Sequence, residues 1–463
     1  MSEPEFTHPD DIRSRFSAAM SEMYRTEVPA YGTLMQIVAD VNADVLDGNT
    51  TLRADLEETD QLSRISEERH GAIRLGTAEE LETIRRLFAI MGMHPVGYYD
   101  LTEAGVPVHS TAFRPVGEAA LRRNPFRVFT SLLRLDLIAD EALRDTARMV
   151  LDARQIYTPR CLELIERAEK QGGLTDAEAD AFVAEALETF RWHPEANVNA
   201  DLYKRLHDAH RLIADVVSFR GPHINHLTPR TLDIDRVQQL MPDHGIAPKA
   251  VVEGPPRRDC PILLRQTSFK ALSEAVSFDG IEGSHTARFG EIEARGQALT
   301  PKGRALYDQL LTATRAKCLP AADGSNAAEY MSTLSATFSD FPDDLTEIRA
   351  AGLGYFEWSL TDKGAAAAGQ LTETDADSLL AAGYLRIDPI IYEDFLPVSA
   401  AGIFQSNLGD ESAQEFAASP NQQRFEADLG QPVLNEFDHY QRIEDQSRIR
   451  CISILTTGAA AAE

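Results

Sequence analysis

Two stretches of this chain carry the same succession of signals, and a duplicated unit restricts the possible folds more than any other feature of the sequence. The first opens with ISEERHGAIRLGT, residues 65–77, which reads as a buried strand. It runs on into TAEELETIRRLFAIMG, where Thr77 and Glu80 form a capping box and Leu81, Ile84, Leu87, Phe88 and Met91 recur at helical spacing before Gly92. HPVGYYDL, VPVHSTAF and FRVFTSLLRL then supply three β-type runs. The second stretch, beginning HINHLTPRTLDIDRVQQLM, repeats this order, with Asp233 as N-cap and Ile234, Val237, Leu240 and Met241 on one helical face. Gly92-Met-His-Pro95 is echoed by Gly245-Ile-Ala-Pro248, and Thr111-Ala-Phe113 by Thr267-Ser-Phe269. His70 precedes Phe113 by 43 positions, and His226 precedes Phe269 by the same 43, so the two histidines hold equivalent places.

In an extended segment side chains alternate between faces, so His70, Ala72 and Arg74 project from one side. The second unit closes with TARFGEIEARG, whose Glu291 and Glu293 share a face with Phe289. Two inward carboxylates are costly unless a cation lies opposite. Packing the units about a pseudo-twofold axis would bring His70 and His226 face to face, with a carboxylate added from the last strand. Two imidazoles and one carboxylate leave positions open on a metal, the donor set of non-haem Fe(II) oxygenases, whereas structural zinc closes its shell with four protein ligands. The matching strand of the first unit, NPFRVFTSLLR, puts Val128 or Thr130 in the glutamate's place and offers no fourth ligand. The competing reading of each histidine is a hydrogen-bonded core residue. Repeat-equivalent positions and a nearby carboxylate favour the metal. His223 falls on the face opposite His226 in a regular strand and is not assigned as a ligand. His207 and His210, at i and i+3 without an acidic or cysteine partner motif, read as surface residues.

With 463 residues, 43% hydrophobic and 25% charged, the chain is ordinary globular material large enough for several domains. Its net charge of −28 disfavours nucleic acid and anionic membrane as partners. Cys161, Cys260, Cys318 and Cys451 stand far apart and read as free thiols, while no signal peptide and no long apolar span is evident. The expectation is a cytoplasmic protein. Four segments are expected: N-terminal helices and the first module over 1–134, a helical insertion over 135–218, the second module over 219–300, and a C-terminal extension over 301–463 that closes the site.

HGAIRLG, GPHINHLTPRTLDID, RFGEIEARG followed by ALTPKGRALYD, and DFLPVSAAGIFQSNL together resemble the 2-oxoadipate dioxygenase/decarboxylase family, also called hydroxyglutarate synthase, a branch of the vicinal-oxygen-chelate fold. The resemblance covers nearly the whole chain. It implies an α+β protein in which two βαβββ modules form a metal-centred, barrel-like core, with a helical insertion and a C-terminal α/β extension. It also implies an Fe(II) enzyme of lysine catabolism that converts 2-oxoadipate and O2 to 2-hydroxyglutarate and CO2. The implied iron ligands are His70, His226 and a glutamate of GEIEARG, with Glu291 preferred over Glu293 because related dioxygenases end this strand in Glu-x-x-x-Arg. Arg74, roughly 13 Å along the strand from His70, would clamp the far carboxylate of the diacid through its planar fork. Val398 and Ser399 are implied near the substrate through main-chain groups. The rival readings are a metal-dependent isomerase or lyase of the same fold and a non-catalytic acidic scaffold.

Overall fold

The computed structural model describes residues 5–58, 62–286, 288–321, 323–396 and 421–459. Its main sheet has seven strands: β1 (Arg69–Leu75), β2 (His94–Asp100), β3 (Val108–Arg114), β4 (Arg127–Leu133), β5 (His226–Pro229), β6 (Leu264–Ser268) and β9 (Phe289–Arg295). Two further strands, β7 (Ser273–Phe278) and β8 (Ile281–Thr286), form a separate hairpin. The order across the curled main sheet is β2-β3-β4-β1-β5-β9-β6.

This order is two βαβββ modules side by side, each with its first strand paired parallel to its last. In the first, β1 pairs parallel with β4, which pairs antiparallel with β3 and then β2. In the second, β5 pairs parallel with β9. The echoed sequences do equivalent work, since Pro95 pairs with Phe113 in one module and Pro248 bridges Phe269 in the other. The second module departs from the first in reducing its second strand to that bridge and in inserting the β7–β8 hairpin. Strands β1 and β5 join the modules antiparallel, with His70 opposite Thr228 and Gly71 opposite Leu227. Each of Gly71 and Leu227 is one residue past its histidine, so the pseudo-twofold axis passes between them. Only glycine suits this crossing: a Cβ on Gly71 would lie 2.6 Å from Ile224 Cδ1 and 2.8 Å from the His226 carbonyl oxygen.

Local signals account for the helices. Thr77 caps Ala78–Ile90 by accepting from the Glu80 N–H, and Asp233 caps Ile234–Leu240 through the Arg236 N–H. Glu80 departs from the expected capping box. Its carboxylate accepts from the Gly76 N–H at 2.7 Å and pairs with Arg154 at 2.7 and 2.8 Å, because a buried guanidinium is a stronger partner than an end-of-helix amide. Thr175 and Glu178 do form a complete capping box at the start of the helix Asp176–Leu187. The helix Pro9–Glu27 braces the second module, with the Tyr24 hydroxyl 2.9 and 2.6 Å from the carbonyl oxygens of Asn225 and Phe289.

The described residues divide into two compact units. One comprises Met1–Val252, Gln266–Ala294 and Phe395–Leu434, and the other Glu253–Arg265, Arg295–Asp394 and Asn435–Glu463. The helical stretch over 135–218 belongs to the first unit and shares its core: Leu143, Ala147, Leu151, Leu212 and Val216 cluster with Ala72, Val108, Phe129 and Phe395. In the second unit β10 (Phe356–Leu360) pairs antiparallel with β11 (Leu385–Pro389), and Trp358, Leu379 and Leu385 pack with Cys451 and Leu455 of the helix Glu436–Thr457. All four cysteines are free, and no described helix is long and apolar enough to cross a membrane.

Candidate metal centre and substrate site

The pairing register places His70, Ala72 and Arg74 of β1, Thr228 of β5, and Phe289, Glu291 and Glu293 of β9 on one interior face. His70, His226 and Glu291 converge there, with one donor atom of each within 4.8 Å of the others. It is the one such group among the described residues. The Glu291 carboxylate oxygen Oε2 lies 3.3 Å from His70 Nε2 and 3.6 Å from His226 Nε2. Thr228 Oγ1 and Gln266 Nε2 donate to the same oxygen at 3.0 and 3.3 Å. All three residues are at most 2% exposed, so nothing in solvent satisfies them.

Glu293 has a different office. Its Oε2 lies 3.1 Å from His70 Nδ1, and its Oε1 accepts from Arg127 Nη1 at 3.1 Å. Arg127 also donates to Glu68 at 2.8 Å, and Glu68 is shared with Arg230 at 3.0 Å and Arg64 at 3.3 Å. Both ring nitrogens of His70 therefore face a carboxylate, and a neutral ring has a single proton: in the tautomer that carries it on Nδ1, toward Glu293, the Nε2 lone pair faces Glu291. A lone pair aimed at a carboxylate is repulsive without a cation between them. Glu293 has its guanidinium; among the described residues the ion-pair partners of Glu291 are the two imidazoles.

Electrostatics agree. Burial pushes the His70 ring toward neutrality, but the carboxylates of Glu293 and Glu291 outweigh it and raise its pKa. His226 is held well below the ordinary value by burial and by the charges of His70 and Arg74. Neither of its ring nitrogens has a hydrogen-bond partner, though the residue is 1% exposed. A buried, neutral, unpartnered imidazole beside a carboxylate fits a metal ion. Phe395 packs edge-on against His70 at 4.9 Å and against Phe129 at 5.1 Å, and Phe289 stacks on His226 at 4.8 Å, so the walls are apolar.

The profile of the 2-oxoadipate dioxygenase/decarboxylase family matches residues 16–407. The chain belongs to that family. A 2-oxoadipate dioxygenase/decarboxylase of Pseudomonas putida is 58% identical over 459 residues, covering 98% of this chain and 99% of its own. One of Escherichia coli is 57% identical over 444 residues, covering 96% and 98%. The crystal structure of the Pseudomonas putida hydroxyglutarate synthase in complex with 2-oxoadipate is 56% identical, with a TM-score of 0.91 over 97% of this chain and 99% of that one.

Of the residues singled out in the sequence, the fold of this family member assembles His70, His226 and Glu291. Arg74 meets Asp215, whose Oδ2 lies 2.6 Å from its Nη1. Val398 and Ser399 lie outside the described residues. The register corrects the place opposite Glu291: Ala72 pairs with Phe129 as Thr228 lies beside Glu291, so the first-module counterpart is Phe129, and Val128 and Thr130 point to the other face. Sequence reasoning missed Asp215, Glu68, Arg127 and Arg230. A signal existed for two of them. Arginine follows each histidine by four in HGAIR and HLTPR, and Asp215 interrupts the apolar run LIADVV.

Proposed function

We propose that this chain converts 2-oxoadipate and O2 to 2-hydroxyglutarate and CO2 with Fe(II) held by His70, His226 and Glu291, as a cytoplasmic step of lysine catabolism. When bound, Fe(II) supplies the one-electron chemistry through which O2 reacts with a 2-oxo acid. The atoms balance without an external reductant: C1 leaves as CO2, one oxygen atom completes the new carboxylate at C2, and the other becomes the hydroxyl at C3.

The observation that carries this reading is a buried group of two imidazoles and one carboxylate, with an aromatic residue where a fourth ligand would stand. Three protein donors leave room for a chelating 2-oxo acid and O2. A metal-dependent isomerase or lyase with a fourth protein ligand is disfavoured by Phe129, and a scaffold has no use for the unpartnered His226. Thr228 and Gln266 orient Glu291, Glu293 holds the proton of His70 on Nδ1, and Phe395, Phe129 and Phe289 exclude water. Arg74 is assigned to the far carboxylate of the diacid, with Asp215 fixing its guanidinium. Val398 and Ser399, which follow Phe395 in the chain, are assigned to the substrate through main-chain groups.

The test is an oxygen-electrode trace on protein loaded anaerobically with Fe(II) and offered a panel of 2-oxo acids. About one iron per chain, and O2 uptake matched by CO2 and 2-hydroxyglutarate with 2-oxoadipate, is the expected result. Zinc as the bound metal, or no O2 uptake with any 2-oxo acid, would sink the proposal.

A further inference from the structure

We propose that His223 is a second donor to the far carboxylate of the diacid, organised together with Arg74 by Asp215; this rests on the function proposed above. Asp215, in the helix Arg211–Ser218, is the hub of a buried cluster. Its Oδ2 takes Arg74 Nη1 at 2.6 Å and its Oδ1 takes His285 Nε2 at 2.9 Å. His285 is fixed in turn by the Tyr203 hydroxyl, 2.8 Å from its Nδ1. His223 Nε2 stands 3.5 Å from the Asp215 oxygen that His285 already occupies.

Three features set His223 apart from a satisfied core histidine. It is 2% exposed, yet neither ring nitrogen has a hydrogen-bond partner, whereas His285 in the same cluster uses both of its nitrogens. Its φ is +21°, a conformation that a non-glycine residue adopts at a cost, and such departures cluster where a side chain must be aimed. Its ring is also held edge-on by Trp192 at a centroid distance of 4.7 Å. Because β5 begins at His226, strand alternation does not govern His223, and it is free to sit on the side of Arg74. Burial and the neighbouring charges of His285 and Arg74 hold the ring neutral, with its pKa down to about 3, so it offers one N–H donor.

The chemical consequence is selectivity. Arg74 is already partly neutralised by Asp215, so a second carboxylate arriving there gains from one further donor. A 2-oxo acid of equal length without that carboxylate has nothing to offer His223.

Two variants and two substrates test this, with Fe(II)-loaded protein. His223→Phe keeps the ring and removes the donors, and should raise KM for 2-oxoadipate about tenfold while leaving KM for 2-oxohexanoate and the Fe(II) affinity unchanged. His223→Gln restores a donor and should recover most of the loss. In the unsubstituted protein, anaerobic 2-oxoadipate should perturb the fluorescence of Trp192, and 2-oxohexanoate should not, a measurement independent of whether His223→Phe folds. Equal losses on both substrates, or no loss on either, would assign the imidazole to packing or to an ordered water and overturn the inference while 2-oxoadipate turnover stands. Failure of the unsubstituted protein to bind or consume 2-oxoadipate would overturn this inference and the proposed function together.

Discussion

The two modules of the main sheet share strand order, a histidine and an arginine four residues later, yet their interiors differ in charge. The second module presents Phe289, Glu291 and Glu293 along β9, where the first presents Arg127, Phe129 and Ser131 along β4. Duplication alone would place two histidines and two carboxylates around the axis. Here the place of one carboxylate holds the ring of Phe129, and the place of Phe289 holds the guanidinium of Arg127. The difference leaves three donors together on the interior face and sets Arg127 against Glu293. A symmetric scaffold thus carries an asymmetric site.

Removing the asymmetric ligand is the severest way to break the comparison. Glu291→Gln should lose Fe(II) on anaerobic dialysis and fall to background O2 uptake; a variant that retains one iron per chain would remove Glu291 from the ligand set. Phe129→Glu restores the symmetry that the sequence abandoned. It should destabilise the metal-free protein through a buried unpaired charge, by about 3 kcal/mol or more. Added divalent metal should recover that loss in thermal melts, with turnover still abolished because the open side is closed.

Glu293→Gln separates the supporting carboxylate from the ligating one. Metal affinity should drop about 10- to 100-fold, as expected when an imidazole loses its carboxylate partner, and KM for 2-oxoadipate at saturating Fe(II) should not change. The paired arginines give a sharper contrast, because Arg74 meets Asp215 and its counterpart Arg230 meets Glu68. Arg74→Lys should raise KM for the diacid about tenfold, since an ammonium does not reproduce the fork. Arg230→Lys should instead lower stability and leave KM alone. The smallest effect is expected from Ser131→Ala at the place equivalent to Glu293. Among the described residues its hydroxyl bonds only Ser110, at 2.8 Å, so about 1 kcal/mol of stability should be lost with no change in metal affinity.

Much of the fold was legible because it is written in local periodicity. The alternation of HGAIRLG, the helical spacing after Thr77 and the equal intervals to Phe113 and Phe269 are properties of neighbouring residues, and a strand or helix period reports them directly. The interiors of β1 and β9 were legible for the same reason: alternation puts His70 with Arg74, and Glu291 with Glu293. The reduction of the second module's β2 counterpart to a bridge at Pro248 was not, because strand pairing depends on what lies alongside.

By itself, the sequence determined that two histidines occupy equivalent strand positions and that two glutamates share one face. Only the tertiary structure decided which glutamate meets both imidazoles and which one holds a ring in place. The physical reason is that alternation sets the face of a side chain and leaves its partner open. His70 and Glu291 are 221 residues apart in the chain, and their 3.3 Å approach is set by the register of β1 on β5 and of β5 on β9. The same holds for Asp215, whose buried charge became intelligible only once Arg74, His285 and His223 were seen around it.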